Sequence, residues 1–233
     1  MRIPDGKEAG MIQLARMHHR ILDIPLLLLQ EGTIAVIGPN GAGKSTLLRL
    51  IAGVEVPEKG TALIDGNPPR LTEIGWVDEN PERSLLFDSV SDELASPLRF
   101  RWRPCPEVNA RVTETIGQLG ISSLLSCRAR DLSAGEKVLV ALGAALIQKP
   151  DVMILDEADS HLDPAMEAEV RKTLTSSGLR HLLFTTQHMD AAGEADQVVF
   201  LDDGHVLWTG PPSEVFSHLQ DTCFYPPSWR RSG

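Results

Sequence analysis

Short apolar runs alternate along the chain with longer stretches in which apolar residues recur every three or four positions. That alternation predicts an α/β fold with a largely parallel sheet. Strands are predicted over residues 33–37, 74–77, 152–155, 181–185, 197–201 and 205–208, with one short strand at 61–64 in a turn-rich stretch. A helix is predicted after Gly43, with Leu47, Leu48, Leu50 and Ile51 inward and Gly53 as its stop. Residues 79–148 have few strand-like runs and read as helical. Within them Val108, Val112, Ile116 and Leu119 recur at helical spacing, and Gly120 ends that pattern. The run 138–147 is apolar on nearly every side, which predicts a buried helix. Residues 99–106, rich in Pro and Arg, read as a loop, and 220–233 as a weakly packed extension.

Composition narrows the function classes. A chain of 233 residues with 42% hydrophobic residues can bury a sizeable core without disulfides or structural metal. The formal net charge of -10 argues against nucleic acid as the main partner, because a duplex-binding protein needs a basic footprint. Cys105, Cys127 and Cys223 are odd in number and far apart, which suits neither a zinc site nor a disulfide framework and fits a reducing compartment. Residues 1–8 lack the apolar core of a signal peptide. The apolar run at 26–29 is far too short to cross a bilayer. Any service to a membrane is therefore expected from its soluble side.

Two segments carry phosphate chemistry. Gly38-Pro39-Asn40-Gly41-Ala42-Gly43-Lys44-Ser45, followed by Thr46, fits G-x-x-x-x-G-K-[ST] between an apolar strand and an amphipathic helix, the context a P-loop requires. Its glycines let the backbone wrap a polyphosphate, and the helix adds its positive dipole end. Lys44 is expected on the β- and γ-phosphates of ATP and the Ser45 hydroxyl on Mg²⁺. The strand at 152–155 then runs into Asp156 and Glu157. Asp156 suits Mg²⁺ through its water shell, and Glu157 would orient or deprotonate the attacking water.

Leu132-Ser133-Ala134-Gly135-Glu136-Lys137 resembles the LSGGQ signature of ATP-binding cassette (ABC) ATPases, and it lies between P-loop and acid pair as in that family. The same residues make a capping box, Ser133-x-x-Glu136, opening the buried helix, and the two readings are compatible. Ala134 departs from the usual glycine. Ser160-His161-Leu162-Asp163-Pro164 resembles the family's D-loop, although Asp163-Pro164 also makes an ordinary helix start. Thr185-Thr186-Gln187-His188 resembles the switch-histidine segment. Asp78-Glu79-Asn80-Pro81-Glu82 and the stretch to Pro97 are similar to energy-coupling-factor (ECF) importers of vitamins, cobalt or nickel, with Glu79 where the family has the Q-loop glutamine.

The resemblance covers about residues 11–216 and implies an ABC-type P-loop NTPase: a RecA-like α/β core with an antiparallel β portion (11–78 and 149–218), an inserted helical subdomain (79–148) and a tail (219–233). It implies ATP hydrolysis at the interface of two ABC ATPase subunits, a homodimer being sufficient and a heterodimer open. Ser133, Gly135 and Glu136 of one copy would face the γ-phosphate held by the other. Glu157, His188 and Lys44 take the catalytic roles, and Ser45, Glu79 and Asp156 the metal. Transmembrane subunits would dock near residues 83–96, placing the protein peripherally on the cytoplasmic face of a membrane. Another ABC importer or exporter, and a soluble ABC regulator, are the alternatives. The usual aromatic platform for adenine is missing from Met17-His18-His19-Arg20-Ile21, so His18, His19 and the planar guanidinium of Arg20 are the candidates, His19 first.

Overall fold

A computed structural model describes residues 10–230. Residues 1–8, on which the absence of a signal peptide was argued, and Arg231 of the tail lie outside the described residues. In chain order the first elements are β1 (Met11–His19), β2 (Leu22–Gln30), β3 (Gly32–Ile37), α1 (Lys44–Ile51), β4 (Lys59–Ile64) and β5 (Ile74–Val77). Then come α2 (Val90–Phe100), α3 (Cys105–Gln118), α4 (Ala134–Leu146), β6 (Val152–Asp156) and α5 (Pro164–Ser176). The chain continues through β7 (His181–Thr185), α6 (Met189–Gly193), β8 (Gln197–Asp202), β9 (His205–Gly210) and α7 (Pro212–Ser217). Among the described residues no helix is long and apolar enough to cross a membrane.

The described residues form two compact units, 10–72 with 183–230 and 73–182. In the first, β1 pairs antiparallel with both β2 and β4, giving the sheet order β2-β1-β4. The β1–β2 hairpin goes beyond what the sequence pattern predicted. Its register pairs Leu14 with Leu27 and Ile12 with Leu29, all buried, and closes at the pair His19–Leu22 over a two-residue turn, Arg20-Ile21. Separately, β3 runs parallel to β8, and β8 turns back into β9 through Asp203 and Gly204, both at positive φ, as a tight hairpin requires. Ile34, Ala35, Val36 and Ile37 are all buried, the unbroken apolar run of a strand covered on both faces. Helix α1 ends as expected: Gly53, at φ 69, donates its N–H to Leu50 while Val54 N–H reaches back to Arg49, a Schellman close.

In the second unit β5 and β6 are parallel neighbours, and α2, α3, α4 and α5 share one hydrophobic cluster with them. Val108, Val112, Ile116 and Leu119 point into it, and α4 is its spine, with Val138 through Gly143 buried. At Gly143 a Cβ would stand 2.6 Å from Leu94 Cδ2, so α4 packs closely on α2 because that residue is glycine. Removing most of a side chain such as Leu94 or Leu142 from this cluster costs about 2–5 kcal/mol. The cluster also takes in Met153, Val170, Leu174 and Leu182, so the unit extends well past the 79–148 segment expected to be a helical subdomain.

Two local expectations are corrected. Residues 99–106 are not all loop: α2 runs to Phe100 and α3 begins at Cys105, because Pro106 lies in the first helical turn, where a missing N–H costs nothing. The tail is not weakly packed over its described part. Phe216, buried, meets the rings of Tyr225 (centroids 6.4 Å apart) and Trp229 (5.4 Å), and Phe224 lies edge-on to Phe200 at 5.3 Å. Aromatic rings spaced along an otherwise polar tail are enough to fasten it.

Candidate functional site

The glycine-rich loop after β3 is held open by backbone geometry. Gly38 is at φ 145, and a Cβ there would sit 1.9 Å from the carbonyl oxygen of Leu201. Only glycine fits against that strand. Gly43, at φ 102, is the N-cap of α1 and carries no side-chain cap, and the helix's first turn has no acidic residue. The turn supplies no carboxylate of its own to compete for its N–H groups, the arrangement an anion needs. A Cβ at Gly41 would meet nothing of the protein within 4 Å, so the loop is open on that side. Lys44, only 7% exposed, donates through Nζ to the carbonyls of Gly38 (3.0 Å) and Pro39 (3.2 Å). These two carbonyl dipoles help to hold its ammonium over the loop. Ser45 and Thr46 follow, half-buried, in the first turn of α1.

Two hairpin turns support this loop. Gly204, in the β8–β9 turn, donates its N–H to the carbonyl of Ala42 (3.1 Å) and accepts from Asp23 N–H (2.9 Å). A Cβ on Gly204 would lie 1.8 Å from Ile21 O. The β1–β2 turn, the P-loop and the β8–β9 turn are thereby stitched together. His188 belongs to the same unit; it is exposed at the N-cap of α6, and its backbone N–H donates to Thr186 Oγ1 at 2.9 Å.

The structure redirects the search for a base platform. His19 is edge-bound: Nε2 lies 2.8 Å from Glu55 Oε2 and Nδ1 3.7 Å from Glu58 Oε1, with its side chain 12% exposed. The Arg20 guanidinium also turns to Glu55, at 3.3 Å. His18 is exposed, and so is Ile21, which lies beside the phosphate loop. Ile21 is 48% exposed, and its Cγ1 would be 3.5 Å from a Cβ on Gly43 and 3.3 Å from one on Gly204. Sequence reasoning passed over this residue because it looked for a ring. The signal was an aliphatic residue at the tip of a two-residue hairpin, where Asn-Gly is usual, and Arg20 before it is held at φ 54.

The other expected residues belong to the second unit. Val77 and Leu155 are register partners in the parallel β5–β6 pair, so Asp78 and Glu79 leave the sheet at the same edge as Asp156 and Glu157. Asp156 is buried, 4% exposed. Glu157 sits at φ 50, ψ 30, a left-handed conformation that costs a non-glycine residue roughly 1 kcal/mol or more. Strain of this kind concentrates where a side chain must be aimed. Ser133 caps α4 and completes the expected box. Its N–H and its hydroxyl both donate to Glu136 Oε2 at 2.8 Å, and Glu136 N–H returns to Ser133 Oγ at 3.3 Å. These bonds from Ser133 hold the Glu136 carboxyl below the ordinary glutamate value of 4.5. Gly135 lets the 158–161 turn approach: a Cβ there would be 3.3 Å from His161 O. Asp163 accepts Met166 N–H at 2.9 Å and so caps α5, as its spacing to Pro164 predicted.

The family model described as ABC transporter matches residues 22–160. The chain belongs to the ABC transporter family. Among its relatives, the energy-coupling factor transporter ATP-binding protein EcfA1 of Lacticaseibacillus paracasei is 36% identical over 85% of this chain and 75% of its own. The nickel import ATP-binding protein NikO of Rhodobacter capsulatus is 38% identical over 78% of this chain and 80% of its own. The solved structure of cbiO1 from Clostridium perfringens, part of the ABC transporter complex cbiONQ, superposes with a TM-score of 0.81 at 27% identity, covering 90% of this chain and 92% of that one. A bacterial Atm1-family exporter shares the ABC fold at 21% identity and a TM-score of 0.79. This ABC chain is an ATPase subunit of the family and binds ATP.

Proposed function

We propose that this ABC ATPase powers an energy-coupling-factor importer that takes up a vitamin or a transition-metal ion, working as a dimer at the cytoplasmic face of a membrane. The observation that carries the proposal is a P-loop whose helix N-terminus has no side-chain cap and no acid in its first turn, in a chain 36% identical to EcfA1 and 38% identical to NikO over the aligned residues. In this reading the N–H groups of residues 41–46 and the Lys44 ammonium bind the triphosphate. Ser45, Asp156 and Glu79 offer the hard oxygen donors that Mg²⁺ prefers, and the ion neutralises charge on the β- and γ-phosphates. Glu157 orients the attacking water, and His188 contacts the γ-phosphate. From a second copy, Ser133, Gly135 and Glu136 present the start of α4. Because the Ser133 hydroxyl is already given to Glu136, the groups left for phosphate there are backbone N–H groups of the first turn.

Ile21 is the surface on which the base rests. An aliphatic face gives contact without the stacking of an aromatic ring, so ATP and GTP are discriminated weakly. The docking surface for the transmembrane subunit lies in the second unit, near residues 83–96. There Leu86, 72% exposed, stands as a ridge between a cavity of about 420 Å³ lined by Glu82, Phe87, Arg130 and Lys137 and one of about 400 Å³ lined by Trp76, Pro97 and Phe100.

Affinity capture of the tagged chain from its native membrane, followed by ATPase assay of the captured complex, tests the proposal. A small transmembrane subunit that stimulates turnover is the expected result. Capture of a large exporter polypeptide, or of no membrane protein at all, overturns the importer reading.

A further inference from the structure

We propose that residues 222–230 form a clamp that positions His188, with Ser228 and Trp229 as positioning residues for hydrolysis. The inference rests on the assignment of His188 as the γ-phosphate contact. The helix that His188 opens, α6, has five residues, too few to hold its own geometry in water. Its placement must come from what packs on it. One face, Met189, Ala191 and Ala192, is buried. The other is gripped by the tail. Ser228 donates to Asp190 Oδ1 twice, from its N–H at 3.0 Å and from its hydroxyl at 2.6 Å. One turn on, a Cβ at Gly193 would meet the Trp229 indole at 3.4 Å, so the ring lies directly on the helix backbone there.

Asp190 and Gly193 are three residues apart and therefore on one side of the helix. The two contacts fix its rotation as well as its position. The Trp229 ring is itself set edge-on against buried Phe216 (76° between planes) and Tyr225 (83°), and the Arg230 guanidinium closes the segment on Thr222 O at 2.9 Å. The clamp is a built structure with its own internal bonds. Its contacts fall two and five residues after the histidine. Because His188 O accepts the N–H of Ala192 at 3.2 Å, a turn of α6 carries the histidine backbone with it.

The test is steady-state ATP hydrolysis by the full chain with its membrane partner, comparing Ser228→Ala, Ser228→Thr, Trp229→Ala and His188→Ala. Losing a hydrogen bond to a carboxylate should lower kcat by roughly three- to tenfold while leaving the KM for ATP within about twofold. Ser228→Thr, which keeps the hydroxyl, should restore kcat. Trp229→Ala should reproduce the same split by the second contact, which covers the case that Ser228→Ala folds poorly. If Ser228→Ala and Trp229→Ala both turn over at the wild-type rate while His188→Ala is inactive, the clamp is wrong and the histidine assignment stands. The clamp is equally overturned if kcat and the thermal midpoint fall together and Thr restores neither, since the tail is then a structural brace. If His188→Ala hydrolyses ATP normally, the histidine assignment fails and the clamp with it.

Discussion

Glu93 accepts hydrogen bonds from the backbone N–H of Leu86 and from that of Phe87, both at 2.7 Å and both to the same carboxylate oxygen. The carboxylate is 3% exposed, so a buried charge has been committed to holding two consecutive amides. The side chain that this pins, Leu86, points almost wholly into solvent. An exposed leucine on so firmly held a backbone fits the ridge proposed for docking another subunit.

The first prediction comes from that pair. Glu93→Ala strands two amide donors and should lower stability by about 1–3 kcal/mol, read from urea unfolding. Glu93→Gln keeps an acceptor and should lose less. In a reconstituted transporter both should impair transport more than ATP hydrolysis, and equal losses of the two would count against a docking role for Leu86.

The capping box gives a second. Ser133→Ala removes the hydroxyl's bond to Glu136 and its cap of Glu136 N–H, keeps the Ser133 N–H bond that is the larger cause of the low carboxyl, and should destabilise the protein by about 1 kcal/mol. The sign with pH follows from the depressed carboxyl. Its stabilisation is present above the ordinary glutamate value and is lost as pH falls through the folded-state value. The gap in thermal midpoint between wild type and Ser133→Ala should therefore be full near neutrality and narrow below pH 4.5, the ordinary glutamate value, to what the Ser133 Oγ cap of Glu136 N–H contributes at any pH. A gap that persists unchanged at acid pH rejects the assignment of the shift to this box.

A third concerns the nucleobase. Ile21→Tyr supplies a ring at the exposed turn beside Gly43 and should tighten ATP binding by roughly three- to tenfold, the worth of about 0.5–1.5 kcal/mol of stacking. His19→Ala should leave nucleotide affinity within about twofold. Calorimetric titration with a non-hydrolysable ATP analogue decides it, and a strong loss in His19→Ala would return the base platform to that histidine.

The fourth is catalytic. Glu157→Gln should slow turnover by about a hundredfold or more and accumulate an ATP-bound dimer, detected by size-exclusion chromatography with light scattering. Glu79→Gln should instead change the dependence of turnover on Mg²⁺ concentration. Unaltered steady-state hydrolysis in Glu157→Gln removes that residue from the mechanism.

How much could be read from the chain alone depended on the distance over which each feature is decided. The P-loop was legible because its requirements are local: Gly38 and Gly43 need their conformations within a few residues of Lys44. The Ser133–Glu136 box and the Asp163 cap were legible for the same reason. The β1–β2 hairpin was hidden because its turn, Arg20-Ile21, lacks the glycine or asparagine that marks such turns, and its left-handed Arg20 is stabilised by Glu55 and Glu58 far along the chain. The tail was misread because Ser228 finds Asp190 thirty-eight residues away, a pairing no periodicity announces. The fate of His19 was equally remote, set by two glutamates that follow α1.

The turn at Gly204 has a consequence for synthesis. It braces Ala42 from behind, yet it is translated long after the phosphate loop has left the ribosome. A nascent chain arrested before β9 has every residue of the P-loop and lacks the strut that sets its shape, so it should emerge blind to nucleotide and acquire its ligand only as the final hairpin folds back.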